Sequence, residues 1–360
     1  MNKLKLFFEK HESALSSGTL IVGFVFDYLT LQRVDLFWDN FFTILYLVFS
    51  GMSIILIDFY QDGRLKGNGI QHIQEFLPFV VQFCFGGLFS AFIIFYSKSS
   101  SLVSGGIFIL ILLFFFIGNE FFKKKYSKLT FQIGIYFVAL FFFLIYFLPV
   151  LIKQMGPLVF LGSGAASLIL ISIFIFIISY FDPKRYMENN RFLFVTVFCL
   201  YACVNLLYFT NIIPPIPLSL KTGDVYRFVE KQSDGNYHVV GEKNTWQEKF
   251  NFSQKIHLSA GEPVYVFSSI FAPTGLTMEV THEWQHFDEK IGKWVRLNKI
   301  TFPITGGRDQ GYRGFSKKEN IFPGKWRVDI KTDRGQVIGR VRFDIEITDV
   351  LPELETKIVK

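Results

Sequence analysis

His282-Glu283-Trp284-Gln285-His286 satisfies the H-E-x-x-H pattern of zinc hydrolases, whose residue types could perform metal-assisted chemistry. That chemistry needs a helix, where residues four apart stand about 6 Å apart along the axis and both imidazoles reach one zinc. Here Leu276-Thr277-Met278-Glu279-Val280-Thr281 leads in with β-branched residues, and Asp288-Glu289-Lys290-Ile291-Gly292 follows as a turn. The pattern predicts a strand, on which the two His would share a face about 13 Å apart. A third, carboxylate ligand on a downstream helix is also missing. No metal, cofactor or catalytic residue is therefore expected, and a zinc hydrolase stays as the remote alternative.

A second constellation is basic. Arg308, Arg313, Lys317 and Lys318 crowd the segment 306–318, which also holds Gly306-Gly307 and Gly311-Tyr312-Arg313-Gly314. A phosphate loop would need a strand-loop-helix setting and a Lys-Ser/Thr ending, so turns or bulges are expected instead. If the four cations converge, they suit an anionic group, since Arg recognises carboxylate or phosphate bidentately. His282, Trp284 and Trp326 complete the candidate ligand site. Trp246, Trp284, Trp294 and Trp326 could form a sugar-stacking platform, although core packing of at least two is the simpler expectation.

These residues lie beyond a break at Ile213-Pro214-Pro215-Ile216-Pro217, where the chain changes character. A hydrophobic fraction of 51% is too high for one soluble chain, and most of the 46 Phe precede the break. From Ser219 onward lie 22 of the 37 basic and 19 of the 30 acidic residues, a near balance that gives no nucleic-acid footprint. Cys84, Cys199 and Cys203 all fall in apolar blocks, as buried fillers, so the C-terminal part has no disulfide or thiolate metal site. The basic start is not followed by a signal-peptide pattern, and the N-terminus is expected to be retained.

A transmembrane helix needs about 20 mostly apolar residues. Six blocks meet that length, at 39–57, 76–96, 102–121, 130–152, 157–181 and 191–212, and a seventh at 18–36 is weakened by Asp27, Gln32 and Arg33. With seven spans one side receives twelve basic residues, including Lys3, Lys5, Lys10, Lys123, Lys124, Lys125, Lys128, Lys184, Arg185 and Arg191. The other side's short loops receive only Arg33, Lys98 and Lys153. The positive-inside rule then puts the N-terminus in the cytoplasm and the C-terminal domain outside. That means a multi-pass protein of the bacterial inner membrane with a periplasmic or extracellular domain.

Polar residues within spans are functional candidates, because burying charge in lipid is costly. Asp27 leads, with Gln82 and Asn205 behind it, and Arg33 lies nearby in sequence. A proton relay usually carries several mid-span carboxylates or His, so structural roles are favoured. Gly162 and Ala166 form a small-xxx-small pair suited to helix packing.

After the prolines the sequence alternates. Tyr226-Arg227-Phe228-Val229 and Tyr237-His238-Val239-Val240 flank Asp234-Gly235, a hairpin signal. Pro263 to Phe271 reads as a strand, Trp326, Val328 and Ile330 alternate with Arg327, Asp329 and Lys331, and 337–347 alternates likewise. Period-two patterning with one charged face predicts antiparallel sheets covered on one side, and seven or eight strands suggest an immunoglobulin-like β-sandwich. The expected organisation is an all-α transmembrane bundle over 1–212, a Pro-rich linker over 213–221, the sandwich over 222–350 and a tail over 351–360.

The stretch from Gly261 to Ile347 resembles a bacterial membrane-associated family, domain of unknown function 2914. Its carriers are Gly261-Glu262-Pro263-Val264-Tyr265, Ala272-Pro273-Thr274-Gly275-Leu276, His282-x-Trp284 and Gly306-Gly307-Arg308. Gly311 to Lys318, Pro323 to Asp329 and Val337-Ile338-Gly339-Arg340 complete them. The membrane half resembles the multi-span region of some relatives through Gly23 to Leu31 and Arg33-Val34-Asp35. The resemblance implies an architecture and no mechanism. The reading is a non-enzymatic membrane protein whose sandwich binds an envelope component, either a partner protein or an anionic or polysaccharide ligand, and not nucleic acid. The alternative is a transporter or membrane-embedded enzyme with its site near Asp27.

Overall fold

The computed structural model describes residues 21–61, 68–99, 102–121, 128–181, 183–243, 253–349 and 352–359. The chain divides into two compact units, with the main boundary between Ile213 and Pro214 and with Lys98 and Ser99 grouped with the second.

The first unit is helical: α1 (Ile21–Thr30), α2 (Phe37–Gln61), α3 (Asn68–Lys98), α4 (Leu102–Phe121), α5 (Leu129–Ile152), α6 (Pro157–Phe181) and α7 (Pro183–Phe209). Five stretches of 23 to 25 residues are long and apolar enough to cross a membrane: Phe37–Tyr60, Phe76–Lys98, Leu129–Ile152, Pro157–Phe181 and Tyr186–Phe209. Ile21–Thr30 and Gly105–Asn119 are shorter apolar helices. The block expected at 18–36 is thus helical over ten described residues, and 18–20 lie outside the described residues. Its helix stops because the next backbone is used elsewhere: Asp39 Oδ2 accepts the Gln32 and Arg33 amides at 2.9 and 3.0 Å.

Within this unit α5 is the axis, packed against α2, α6 and α7. Small residues set the approaches. Gly51 of α2 lies under Tyr136, Gly87 of α3 under Tyr46, and Gly164 of α6 under Tyr201 and Phe141. A Cβ at Gly164 would stand 3.0 Å from Tyr201, whereas one at Gly162 would meet only Leu148 at 3.7 Å. The tight contact is therefore made by Gly164 rather than by the Gly162–Ala166 pair. Cys84 is buried as expected, but Cys199 and Cys203 lie exposed on α7, where apolar side chains such as Phe194 and Phe198 also face outward. Apolar helices of this kind fit a membrane protein carrying a β-domain.

The second unit contains β1 (Ser219–Tyr226), β2 (Phe228–Lys231), β3 (Tyr237–Glu242), β4 (Gln254–Leu258), β5 (Val264–Phe271) and β6 (Thr277–Asp288). There follow β7 (Lys293–Thr305), β8 (Tyr312–Lys318), β9 (Gly324–Thr332), β10 (Val337–Ile347) and β11 (Leu354–Val359). They form three sheets, ordered β1-β5-β8, β4-β10-β9-β6-β7 and β11-β3-β2. The first two enclose a core of Val264, Val266, Ile270, Val280, Trp284, Trp326, Val328 and Phe343. All eight residues of β5 are buried, because the small third sheet covers its other face. There Tyr265 and Phe267 meet Val229, Tyr237 and Val239, with Phe315 and Val359 at the edge. Apolar residues on both faces of β5 are what require the extra layer.

Three expectations change. The strands number eleven among the described residues, not seven or eight. The pair β4–β10 is parallel, with Phe343 opposite Gln254 and Ile347 opposite Leu258, so the domain is not wholly antiparallel. The segment expected as tail holds β11, and the expected linker the first three residues of β1: Leu354, Thr356 and Ile358 alternate with charged residues, and Thr356 pairs with Val240. The expected hairpin is present. Gly235 adopts φ 84° in its turn, and Asp234 accepts the Asn236 amide at 2.9 Å.

Candidate functional site: a guanidinium row on the five-stranded sheet

The H-E-x-x-H segment lies on β6, and successive side chains therefore point to opposite faces. His282 and Trp284 face the interior. His282 Nε2 and Ser268 Oγ are 2.9 Å apart, and Nδ1 and Ser316 Oγ 2.8 Å. Trp284 Nε1 donates to the same Ser316 Oγ at 3.0 Å. Burial pushes the His282 imidazole down to about 3, so it is neutral. Both nitrogens are already used, which leaves none for a metal, and His286 stands apart between Phe322 and Trp326. Among the described residues no three His, Cys, Asp or Glu gather to hold a cation.

Trp284 and Trp326 are also fully buried. Trp326 Nε1 donates to the Phe322 carbonyl at 2.9 Å, which satisfies the one polar atom of a core indole. Trp246 lies outside the described residues. Trp294 remains half-buried.

The four cations of 306–318 are divided. On β8, Arg313 and Lys317 share one face and Lys318 the other. Lys317 pairs with Glu319 at 2.6 Å, while Lys318 donates to Asn298 at 2.5 Å and lies 5.7 Å from the Trp326 ring. Burial lowers the Lys318 ammonium. Arg308 lies over the Tyr312 ring at 5.7 Å, and Tyr237 donates to the Arg313 carbonyl at 3.0 Å. Burial, then Tyr312, raise the Tyr237 phenol, while Arg313 and Arg308 oppose the rise. Only Arg308 and Arg313 therefore share a neighbourhood.

The glycines of this loop have a packing reason. A Cβ at Gly306 would stand 2.0 Å from the Pro273 carbonyl oxygen, and one at Gly311 2.7 Å from Ile270 backbone. The Gly307 amide donates to Ala272 at 3.1 Å. The segments 269–274 and 306–311 are thus two stretches of chain pressed together.

The largest concentration of guanidinium lies elsewhere, on the outer face of the five-stranded sheet. The registers set Arg296 opposite Gln285, Gln285 opposite Arg327, and Arg327 opposite Arg342, across β7, β6, β9 and β10. That row contains three guanidiniums and no carboxylate. Arg327 Nε donates to Gln285 at 2.7 Å, and its guanidinium stacks 4.4 Å from the Trp294 ring. Burial, then the Arg340 charge, push Arg327 below the ordinary guanidinium value, with Arg342 adding and Asp329 opposing.

The adjoining row, Lys299–Glu283–Asp329–Arg340, sets two acids side by side between two bases. Arg340 binds Asp329 with both nitrogens, at 2.5 and 2.8 Å, and Lys331 reaches Glu283 at 2.6 Å. Burial alone would raise the Glu283 carboxyl. The Lys331 bond and charge, with Gln285 and Lys299, instead hold it below the usual range. Glu283 also reaches Arg296 at 3.8 Å, so the acids lie in this row, while the other holds three guanidiniums, no carboxylate of its own and an aromatic ring. The alternation of Arg327, Asp329 and Lys331 signalled a charged face in the sequence, but not which residues would stand in one row.

Asp27, in the helical unit, is half-buried and faces Ser90. Arg33 pairs with Asp35 at 2.7 Å. Asn205 donates to the Tyr201 carbonyl of its own helix at 2.8 Å, and the Gln82 carbonyl accepts from Asn119 at 2.8 Å. Among the described residues, Tyr46 is the ionisable neighbour that senses the Asp27 charge.

No curated protein sequence matches the chain. A crystal structure of an immunoglobulin-like protein from Pseudomonas aeruginosa aligns at 12% identity, covering 36% of this chain and 92% of that one, with a TM-score of 0.20. The alkylpurine DNA glycosylase AlkC of Pseudomonas fluorescens, bound to DNA containing an abasic site analogue, aligns at 10% identity. It covers 88% of this chain and 100% of its own, with a TM-score of 0.22. Likenesses at such TM-scores carry no argument about function. Residues 277–345, from the start of β6 into β10, match the family described as protein of unknown function (DUF2914), so the sheet bearing the guanidinium row lies largely within that family's domain.

Proposed function

We propose that this chain is a non-enzymatic membrane protein that displays its β-domain outside the cytoplasm and binds an acidic envelope polysaccharide on the Arg296–Arg327–Arg342 row. The observation that carries the reading is that row itself: three guanidiniums in register, no carboxylate among them, and Trp294 stacked on the middle one. Guanidinium suits bidentate carboxylate recognition, and an indole suits the apolar face of a sugar ring. The finer topology is part of the same proposal. Seven apolar blocks give seven spans in the bacterial inner membrane, and the bias of basic residues toward the N-terminal side supports a periplasmic domain. The two main facing sheets are read as an immunoglobulin-like sandwich with an added third sheet.

The test uses full-length protein in detergent micelles, with polygalacturonate as the acidic probe and dextran as the neutral one. Polygalacturonate is expected to bind and dextran not, and Arg342→Gln with Arg327→Gln should weaken binding at least tenfold. Equal binding of both polymers, or binding indifferent to the two substitutions, would overturn the reading. A partner protein with an acidic surface is the competing occupant, and failure of polygalacturonate to bind at all would favour it.

A further inference from the structure

The helical unit contains a cavity of about 560 Å³ between α4, α5 and α7. Its polar members are Lys128 and Thr130 at the start of α5, and Asn189 and, further in, Thr196 on α7. Deeper along the same helices the wall becomes apolar, through Val138 and Leu200. From Lys128 to Val138 the helix rises about 15 Å, half of a hydrocarbon core about 30 Å thick. The cavity thus has the depth of one leaflet, a polar mouth and an apolar interior.

We infer that this cavity is a binding site for a membrane phospholipid with an anionic headgroup, its acyl chain along α5 and its phosphate at Lys128. Three features choose this occupant. Lys128 is the one charged residue of the lining among the described residues, it is exposed, and its side chain makes no capping bond to the helix. The charge matches an acidic headgroup, and basic pockets between transmembrane helices are known to take such lipids. The volume of about 560 Å³ falls within the range of about 300–1,000 Å³ usual for small-molecule sites. The inference concerns the helical unit alone and does not depend on the polysaccharide reading.

The full-length protein would be extracted from nanodiscs containing equal parts of phosphatidylglycerol and phosphatidylethanolamine, and the retained lipid counted by native mass spectrometry. Phosphatidylglycerol is expected in several-fold excess. Lys128→Glu should abolish the excess and Lys128→Gln reduce it, while Leu200→Trp, which fills the cavity, should lower retention of both lipids. Lys128 is exposed, so its variants keep the fold, and unchanged elution on size exclusion checks this. Equal retention of the two lipids by the unsubstituted protein overturns the inference, and so does an excess that survives Lys128→Glu.

Discussion

His282 of β6 and Ser316 of β8 meet across the interior of the sandwich at 2.8 Å, joining two sheets whose shared core is mostly apolar. Ser268 holds the other imidazole nitrogen, and Trp284 shares Ser316. Apolar contact alone tolerates sliding of one sheet on another. A hydrogen bond between buried groups does not, because a slipped register would leave each of them unmet. The His282-x-Trp284 pair that looked like chemistry is a tie that sets sheet against sheet.

Ser316→Ala removes the shared hydroxyl and orphans two buried groups at once. The β-domain should lose about 1–3 kcal/mol of stability, more than for Ser268→Ala, which orphans one. Chemical denaturation of the full-length protein in micelles, followed by Trp fluorescence, reads the difference. Equal midpoints for Ser316→Ala and unsubstituted protein would mean that the tie contributes nothing.

The same histidine sets a pH dependence. Burial pushes it down to about 3, whereas the unfolded imidazole takes its proton near 6.5. Between these values the unfolded chain binds a proton that the folded domain excludes. This contribution is complete above pH 6.5 and is lost as the pH falls toward 3, at up to about 1.4 kcal/mol per unit. In His282→Gln the stability of the domain should vary less between pH 6.5 and 5, whatever its absolute value. A slope unchanged by the substitution would exclude a neutral buried His282.

Much of this domain was legible beforehand, for a local reason. Trp326-Arg327-Val328-Asp329-Ile330-Lys331 alternates without interruption, and β-branched residues before His282 marked a strand where a motif suggested a helix. What could not be read was register. Arg327 and Arg342 are fifteen positions apart in sequence, and they become neighbours only because β9 and β10 pair with a shift between Val337 and Gly339. A slip of one residue would have turned Arg342 into the core. Basic residues adjacent in sequence, such as Lys317 and Lys318, were for the same reason sent to opposite faces. β11 escaped notice because six residues after an apparent end have little pattern until β3 supplies a partner.

Gly306 offers a test of the pressed backbones. A Cβ there would overlap the Pro273 and Ala272 carbonyl oxygens, at 2.0 and 2.6 Å, and neither can swing away as a side chain could. Gly306→Ala should therefore destabilise the domain by about 3 kcal/mol, the upper part of the range for overpacking. The melting temperature of the β-domain transition checks this, and a shift within error would show that the two segments separate easily.

Asp329→Asn separates stability from binding. The carboxylate is almost wholly buried and neutralises Arg340 through two hydrogen bonds, with Lys331 at 3.7 Å. Its loss leaves Arg340 without its carboxylate, while Lys331 keeps Glu283, and the domain should weaken by about 3 kcal/mol. The same change removes a negative charge beside Arg327 and Arg342. Polygalacturonate should bind more tightly to Asp329→Asn at low salt, and the gain should fade as ionic strength shortens the Debye length. Weaker binding by a folded variant would count against the guanidinium row.

The side of the membrane on which the β-domain stands can be read with one thiol, since Cys84, Cys199 and Cys203 all precede the break. Changing these three to Ser and adding Asp333→Cys places a single exposed thiol in the turn between β9 and β10. An impermeant maleimide applied to spheroplasts should label it without lysis under the proposed orientation, in which the side rich in basic residues is cytoplasmic. Labelling that appears only after lysis would put the guanidinium row in the cytoplasm. An envelope polysaccharide could not then reach it, although binding in micelles would be unaffected. The two experiments together thus distinguish a wrong orientation from a wrong ligand.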